Sequence, residues 1–248
     1  NSFGASREVN AGETYFGGQE QTPQVPWTMP GTVISSPGGF GAQWGNVAVG
    51  AGFQSRTRGG TEADGSLGVG FGIGNAAKYV GLETSVAVLS VTGNDAFERG
   101  SVSLKLHRQL PAGFAIGFGR ESFTYWKSTD SGQAWYGTLS KVFYLKDPTQ
   151  WFSSVVATFG LGDGRFRRKA DVDVNKSVIS PFGSIAVRIQ QPVALIADWT
   201  GQDLNLGLSI TPIRDIGLYI NPSIADLTHS AGDNPRFILG VGFGYSFT

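Results

Sequence analysis

The chain has 248 residues, of which 37 are glycine and none is cysteine. Each glycine costs a helix about 1 kcal/mol relative to alanine, so this composition disfavours a helical bundle. Only 15% of the residues are charged, and 19 basic residues balance 19 acidic ones. The chain therefore has no net field that would attract nucleic acid, and the lack of cysteine excludes disulfides and thiolate metal sites.

Residues 1–42 show no sustained hydrophobic period and are interrupted repeatedly by proline and glycine. Such punctuation is typical of extended, irregular chain, so we interpret this region as an N-terminal arm. The remaining residues, 43–248, have a regular pattern of residue types and form a second region.

Short segments in residues 43–248 alternate large apolar residues with small ones. Val47, Val49 and Phe53 alternate with glycine and alanine, and the same pattern returns up to Phe243 near the end of the chain. A period of two predicts β-strands, and we count twelve of them. Residues 133–145 are a predicted strand whose facing the pattern leaves open, and residues 221–236 are a predicted loop.

The connections between the predicted strands alternate in length. Short links at 74–78, 110–113 and 190–192 occur at every second junction, whereas longer polar loops such as 162–179 occupy most of the others. Short turns at one end and long loops at the other, with an even number of strands, are typical of transmembrane barrels.

The small-residue face of each strand is composed mainly of Gly, Ser and Ala, which suits the crowded interior of a closed barrel. The large apolar face is then expected to contact lipid, because closure satisfies the backbone without an exposed edge. The fold class is thus an all-β, closed antiparallel transmembrane β-barrel of about 12 strands with an irregular arm. A soluble all-β fold with core aromatics is the alternative.

Aromatic residues are predicted to form two belts at the membrane interfaces. The belt near the short turns contains Trp44, Tyr79, Trp151, Tyr245 and Phe247, and the belt near the long loops contains Trp126, Trp135 and Trp199.

The C-terminus places an aromatic residue, Tyr245, three positions after Gly242 and another, Phe247, two further on. This arrangement resembles the terminal recognition signal of bacterial outer-membrane β-barrel proteins, although Thr248 follows the last aromatic residue here. The resemblance implies a location in the bacterial outer membrane, contact with the lipid bilayer and insertion by the barrel-assembly machinery.

Charged and titratable residues on the inward face are candidate pore-lining residues, because charges of both signs can select permeating solutes. They are Glu83, Lys105, His107, Glu121, Arg188 and Asp198. We expect a porin-like channel for passive diffusion of small polar or ionic solutes. The alternative is a structural or docking barrel that is closed by its own arm and organises envelope partners. The arm either enters the lumen as a plug or contacts a periplasmic partner.

One dense basic run is a candidate site for an anion or a glycolipid, since arginine side chains bind phosphate groups. It contains Arg165, Arg167, Arg168 and Lys169. The alternative is a solvated loop that nearby aspartates neutralise. His229 near Asp226 and Ser230 permits an acid–base pair without specifying one, so no enzyme activity, metal or cofactor is predicted.

Overall fold

The computed structural model describes residues 30–57, 60–89, 91, 96–127, 132–213, 216–231 and 234–247. Within these ranges, twelve antiparallel strands form one closed barrel, which confirms the predicted fold class and strand count. The strands are β1 (Asn46–Gln54), β2 (Asp64–Gly74), β3 (Gly81–Leu89), β4 (Arg99–Leu110), β5 (Phe114–Trp126), β6 (Ala134–Tyr144), β7 (Ser154–Gly162), β8 (Ser180–Gln190), β9 (Val193–Trp199), β10 (Leu204–Ile210), β11 (Leu218–Ala225) and β12 (Arg236–Ser246).

Each strand pairs with the next one in the chain, and β12 returns to pair with β1, for example at Val49 opposite Phe243. Every strand therefore has two neighbours, so no strand edge is left open. The start of β1 and the end of β12 lie at the end of the barrel that carries the shorter turns, which we call the short-turn rim. The opposite end is the long-loop rim.

The large apolar side chains face outward, as predicted. Leu67 is 43% exposed, Phe71 38%, Leu206 43% and Phe243 41%, so these side chains do not meet in a dry centre. Serine, alanine and glycine occupy most of the inward positions between them. An apolar outer surface around a closed strand ladder is the arrangement that a bilayer requires.

Strand β6 resolves the facing that the sequence pattern left open. Tyr136 and Ser140 are buried and face the interior, whereas Trp135 and Leu139 are exposed on the outer surface. The pattern was ambiguous because Tyr136 places a large ring on the face that elsewhere carries small residues.

The prediction of a loop from residue 221 onward is wrong, because β11 continues through Pro222 to Ala225. Proline has no N–H group to donate to a neighbouring strand. The pairing of β10 with β11 is accordingly interrupted between Gly207–Ser223 and Ile210–Ile220, while Pro222 still lies opposite Leu239 of β12. Barrel closure thus holds a proline in a strand that local sequence signals would end.

The helical structure of the described residues is short. Two 3₁₀ turns cover Pro111–Gly113 and Gly164–Phe166, and α1 covers Lys169–Asp173. No helix in the described ranges has the length and apolar character needed to cross a bilayer. The second turn and α1 belong to the loop between β7 and β8, which contributes to the interior.

Candidate functional site in the barrel interior

Residues 30–43, here called the luminal segment, lie inside the barrel and are mostly buried. Backbone N–H groups of this segment donate to wall side chains: Gly31 to Ser209 Oγ at 2.7 Å and Gly39 to Ser140 Oγ at 2.9 Å. Small wall hydroxyls therefore act as acceptors for an irregular chain that has no strand partner of its own. The division into arm and barrel at residue 42 stays a prediction.

Asp198 of β9 binds three consecutive backbone amides of the luminal segment. The N–H groups of Ile34, Ser35 and Ser36 donate to Asp198 Oδ2 at 2.8, 2.6 and 3.0 Å, and the Ser36 hydroxyl donates to Oδ1. Successive amides around one anion form a nest that stabilises its charge. Because Asp198 is fully buried, these bonds compensate for the water that its carboxylate has lost.

Arg165 enters the same region from the loop after β7. Its guanidinium pairs with Glu121, donates to the Ser35 carbonyl at 2.7 Å and lies 4.4 Å from the Phe166 ring centroid. Burial alone would lower the pKa of Arg165, but the Glu121 carboxylate, with a smaller contribution from Asp198, raises it above its ordinary value. Asp198, Arg165 and Glu121 with the backbone of residues 34–36 are the Asp198 cluster below.

A second group of charged residues, the Glu83 cluster, contains Glu83, Lys105 and His107. Lys105 Nζ lies 3.2 Å from Glu83 Oε2 and donates to the Phe40 carbonyl at 2.6 Å. The Ala42 N–H donates to Glu83 Oε2 at 3.0 Å, and His107 Nε2 lies 2.8 Å from the Ala42 carbonyl. A carbonyl can only accept, so Nε2 carries the proton.

The six predicted pore-lining residues therefore lie in two separate clusters, apart from Arg188. Glu83, Lys105 and His107 come together in one cluster, and Glu121 and Asp198 meet through Arg165 in the other. Arg188 faces inward from β8 and is also buried. Contact of these side chains with a permeating solute stays a prediction.

The four residues of the basic run do not share one surface. Arg165 turns inward, whereas Arg168 is exposed just before α1. Arg167 donates to the carbonyls of Gly164 and Lys176, and Lys169 pairs with Asp173 four residues later. Binding of an anion or a glycolipid by this loop stays a prediction.

Apolar residues inside the barrel are the part of the interior that the sequence analysis missed. One cluster joins two side chains of the luminal segment to the inner wall and consists of Ile34, Phe40, Ala115, Val156, Ala186, Ile196, Ala225 and Ile238. The available signal was a loss of alternation, because Val156, Ile196 and Ile238 each follow another large apolar residue. A continuous apolar run indicates a strand that is covered on both faces.

A second apolar cluster lies toward the long-loop rim and contains Ala134, Tyr136, Phe166 and Phe182. Phe166 stacks on Phe182 with ring centroids 4.2 Å apart. A Cβ atom added to Gly160 would lie 2.3 Å from Phe182, and one added to Gly119 would lie 2.4 Å from the Tyr136 hydroxyl. These inward rings therefore cover glycines of neighbouring strands, a contact that only glycine permits.

On the other side of the interior, glycine occupies most of the inward positions in the middle of β1, β2 and β12. In-register glycines on these strands form what we call the glycine wall: Gly50, Gly52, Gly68, Gly70, Gly240, Gly242 and Gly244. A small cavity of about 30 Å³ borders Gly50, Gly68 and Gly70 of this wall and is lined also by Ala42, Glu83, Ser85, Ala87 and Tyr219. The Tyr219 ring lies over Gly242, so a ring covers part of this wall as well and only a small space is left beside it.

The predicted interface aromatics lie near the barrel ends. Seven of the eight are exposed, and Trp199 at the end of β9 is half-buried. Trp44 contacts Phe247 edge-on at the short-turn rim, with ring centroids 6.1 Å apart. Trp126 and Trp135 lie at the long-loop ends of β5 and β6. Their contact with lipid headgroups stays a prediction.

His229 is exposed on a long-loop connection, while Asp226 is buried and paired with Arg236. The carboxylate nearest in sequence is thus engaged by an arginine. Within the described residues, no three His, Cys, Asp or Glu side chains are grouped so as to hold a metal ion.

The fold is similar to solved porin structures. One is a KdgM porin, with a TM-score of 0.50, 13% sequence identity and coverage of 82% of this chain and 99% of the porin. Another is a KdgM porin in complex with disordered oligogalacturonate, with a TM-score of 0.51, 14% identity and the same coverage. No protein-family model and no curated protein matches the sequence. At the level of fold, these similarities confirm the predicted resemblance to outer-membrane β-barrel proteins.

Proposed function

We propose that this protein is a porin-like channel of the bacterial outer membrane for passive diffusion of small polar or ionic solutes, and that the luminal segment controls its opening. The observation that carries this proposal is the Asp198 cluster, in which one wall carboxylate binds three consecutive amides of residues 34–36. Because these three bonds share one carboxylate, a change at Asp198 breaks them together.

The choice of small solutes is supported by the charge balance of the interior. Lys105 pairs with Glu83, and Arg165 pairs with Glu121. One similar porin is described with oligogalacturonate, a chain of sugar acids. Long polyanions require a track of available cations, whereas these two cations already have carboxylate partners. Small solutes of low charge are therefore the better match for this chain.

A second candidate function is a structural barrel that is closed by its own arm and organises envelope partners. It is favoured by the apolar contacts of the luminal segment, because Ile34 and Phe40 pack with Val156, Ile196 and Ile238 of the wall. Such contacts stabilise a closed state, and the two candidates differ in whether that state opens.

The deciding experiment records conductance in planar bilayers for the full chain and for Asp198→Ala. Hydrogen bonds to a charged acceptor contribute about 1.5–3 kcal/mol each, so loss of this carboxylate is expected to raise the displaced population at least about tenfold. Mean conductance should rise accordingly. A gel-mobility difference between unheated and boiled samples verifies that the variant barrel has folded.

The matched control adds a removable cross-link to Asp198→Ala. Ser35 and Asn205 contact each other at 3.2 Å through their side chains, and the chain contains no cysteine, so Ser35→Cys with Asn205→Cys introduces a single disulfide pair. Oxidation should return the conductance to the parental level, and reduction should raise it again. If no form conducts, including one that lacks residues 1–43, the channel function is wrong and the structural barrel is favoured.

A further inference from the structure

The outward-facing positions of the twelve strands are uncharged with three exceptions, all of them cations. The exceptions in these described strands are Arg108 of β4, Arg120 of β5 and Lys141 of β6. The three strands are neighbours, so the cations share one part of the outer wall, which we call the basic sector. A positive charge on a lipid-facing surface is costly except near the interface, where it can contact headgroups. The basic sector therefore favours an anionic partner.

Arg108 lies at the short-turn rim, two residues before the end of β4. Its neighbours His107 and Gln109 are buried, whereas Arg108 is exposed on the outer wall. His107 lies opposite Gly81, the first residue of β3. Arg108 is therefore level with the link that precedes β3, in which Tyr79 is 73% exposed. Tyrosine is enriched at the headgroup level of a bilayer, so we expect Arg108 at the same depth.

The guanidinium of Arg108 has no hydrogen-bond, ion-pair or ring partner among the residues that the structure describes. Arg120, toward the long-loop rim, instead donates to Gln133 Oε1 at 2.6 Å and lies 4.9 Å from the Trp135 ring centroid. Both arginines face outward, but only Arg120 is engaged by side chains of its own chain. The N–H donors of Arg108 are thus available to a ligand from outside the chain.

Lys141 provides a second positive charge on the far side of β5. It lies opposite Phe114, while Arg108 lies opposite Ile116, two residues further along the same strand. Neighbouring strands are about 4.8 Å apart, so the backbones of Arg108 and Lys141 are separated by roughly 10 to 12 Å. Lys141 Nζ lies 4.2 Å from the Phe114 ring centroid and donates to the Ala112 carbonyl. In the described structure, no carboxylate neutralises its charge.

The short turns beside the basic sector are also mainly positive. Lys78 and Lys146 are exposed on the turns before β3 and after β6. The acidic side chain on these turns is Asp147, whose carboxylate binds the amide and the hydroxyl of Thr149. A zwitterionic headgroup would bring an ammonium group into this positive region, whereas an anionic headgroup brings a phosphate that arginine and lysine bind. Charge complementarity therefore favours a lipid of net negative charge.

We propose that Arg108 and Lys141 form a binding site for the phosphate of an anionic glycerophospholipid at the short-turn rim. The guanidinium of Arg108 binds the phosphate oxygens, and the ammonium of Lys141 adds a positive charge from across β5. The acyl chains extend from the rim along the exposed apolar side chains of Ile116, Phe118 and Leu139. This inference goes beyond the channel function, because it requires a bilayer around the barrel and does not depend on whether the lumen opens.

The test titrates the full-length protein in detergent with dioleoyl phosphatidylglycerol or dioleoyl phosphatidylcholine and measures the lipid-bound fraction by native mass spectrometry. The two lipids have the same acyl chains and one phosphate each, but only phosphatidylglycerol has a net charge. One basic residue near a membrane surface changes the affinity for anionic lipid about fivefold. We therefore expect phosphatidylglycerol to bind at least about fivefold more tightly. Equal affinities for the two lipids would overturn the proposal.

Point variants locate the site. Arg108→Gln and Lys141→Gln should each lower the affinity for phosphatidylglycerol about fivefold and leave that for phosphatidylcholine unchanged. Arg108→Lys, which keeps the charge, should still bind phosphatidylglycerol more tightly than phosphatidylcholine. Lys169→Gln is the matched control, because it removes the same charge from the exposed surface of α1 in a long loop and should not change either affinity.

The gel-mobility difference between unheated and boiled samples verifies that each variant barrel has folded. Unchanged phosphatidylglycerol binding in folded Arg108→Gln would overturn the site, and so would an equal loss in Lys169→Gln. A loss in Arg120→Gln in place of Arg108→Gln would put the lipid at the long-loop rim and would also overturn it. Conductance of Asp198→Ala is measured independently, so failure of the lipid site and failure of the channel are distinguishable.

Discussion

The two sides of the barrel interior use the same alternation of large and small residues to opposite effect. Around β5 to β8, inward rings such as Tyr136 and Phe182 cover the glycines of neighbouring strands and exclude space. On the glycine wall, Gly50, Gly68 and Gly70 border a small cavity, while the Tyr219 ring lies over Gly242. Small inward residues therefore do not by themselves define an open lumen, because the outcome depends on whether a ring lies over them.

The largest effect on stability is expected from Phe166→Ala, which removes the central ring of the packed side. The ring is fully buried against Phe182 and Tyr136, so its removal should lower the free energy of unfolding by about 3–5 kcal/mol. Urea unfolding in lipid vesicles, followed by tryptophan fluorescence, measures this change. Phe159→Ala is the comparison, because its exposed ring leaves no internal cavity. Equal losses in both variants would contradict a packed interior.

A second experiment contrasts the two sides directly through Gly160→Val and Gly70→Val. The first substitution forces a side chain against the Phe182 ring and should destabilise the barrel by about 1–3 kcal/mol. The second has free space and should leave the unfolding midpoint nearly unchanged. If Gly70→Val proves as destabilising as Gly160→Val in the same urea titration, the glycine wall is packed and not open.

Asp203 makes the order of the long-loop rim depend on pH, because its carboxylate binds the loop between β11 and β12. Burial by itself raises its pKa, but hydrogen bonds from the Thr228 hydroxyl and from the amides of Thr228, Leu204 and Ala231 lower it overall below the ordinary value. A lowered pKa stabilises the fold fully above the unfolded value of about 3.9, and this contribution is lost as the pH falls through the folded pKa.

The measurement is protease susceptibility of the loop at residues 226–231, compared between neutral pH and pH values below about 3.9 with an acid-active protease. Cleavage should increase on acidification in the native protein. Asp203→Asn, which cannot carry the charge, should already show increased cleavage at neutral pH and little further change on acidification. A pH response of the same size in this variant would assign the effect to another group.

The smallest expected effect concerns Lys169, whose ion pair with Asp173 lies on the exposed surface of α1. Pairs of this spacing contribute about 0.3–0.5 kcal/mol, so Lys169→Ala should leave the urea midpoint within error of the native value. A larger loss would mean that the exposed surface of this loop also supports the barrel.

The strands and their outward faces could be predicted because period-two alternation reports directly which side of a strand is covered. Phe243 between two glycines is a clear example, and the structure places it on the outer surface. The luminal segment could not be located in this way, since it is held by backbone amides that bind Asp198 and leave no side-chain pattern. The inward turn of Arg165 was hidden similarly, because its partner Glu121 is distant in sequence.

The seam between β1 and β12 has a consequence for how the interior is assembled. The luminal segment runs directly into β1, whose second neighbour is the last strand of the chain. Until that strand docks, the wall has a lengthwise gap beside β1, so residues 30–43 can enter sideways and need not be threaded through a finished ring. The glycines on both sides of the gap place no side chains across that route.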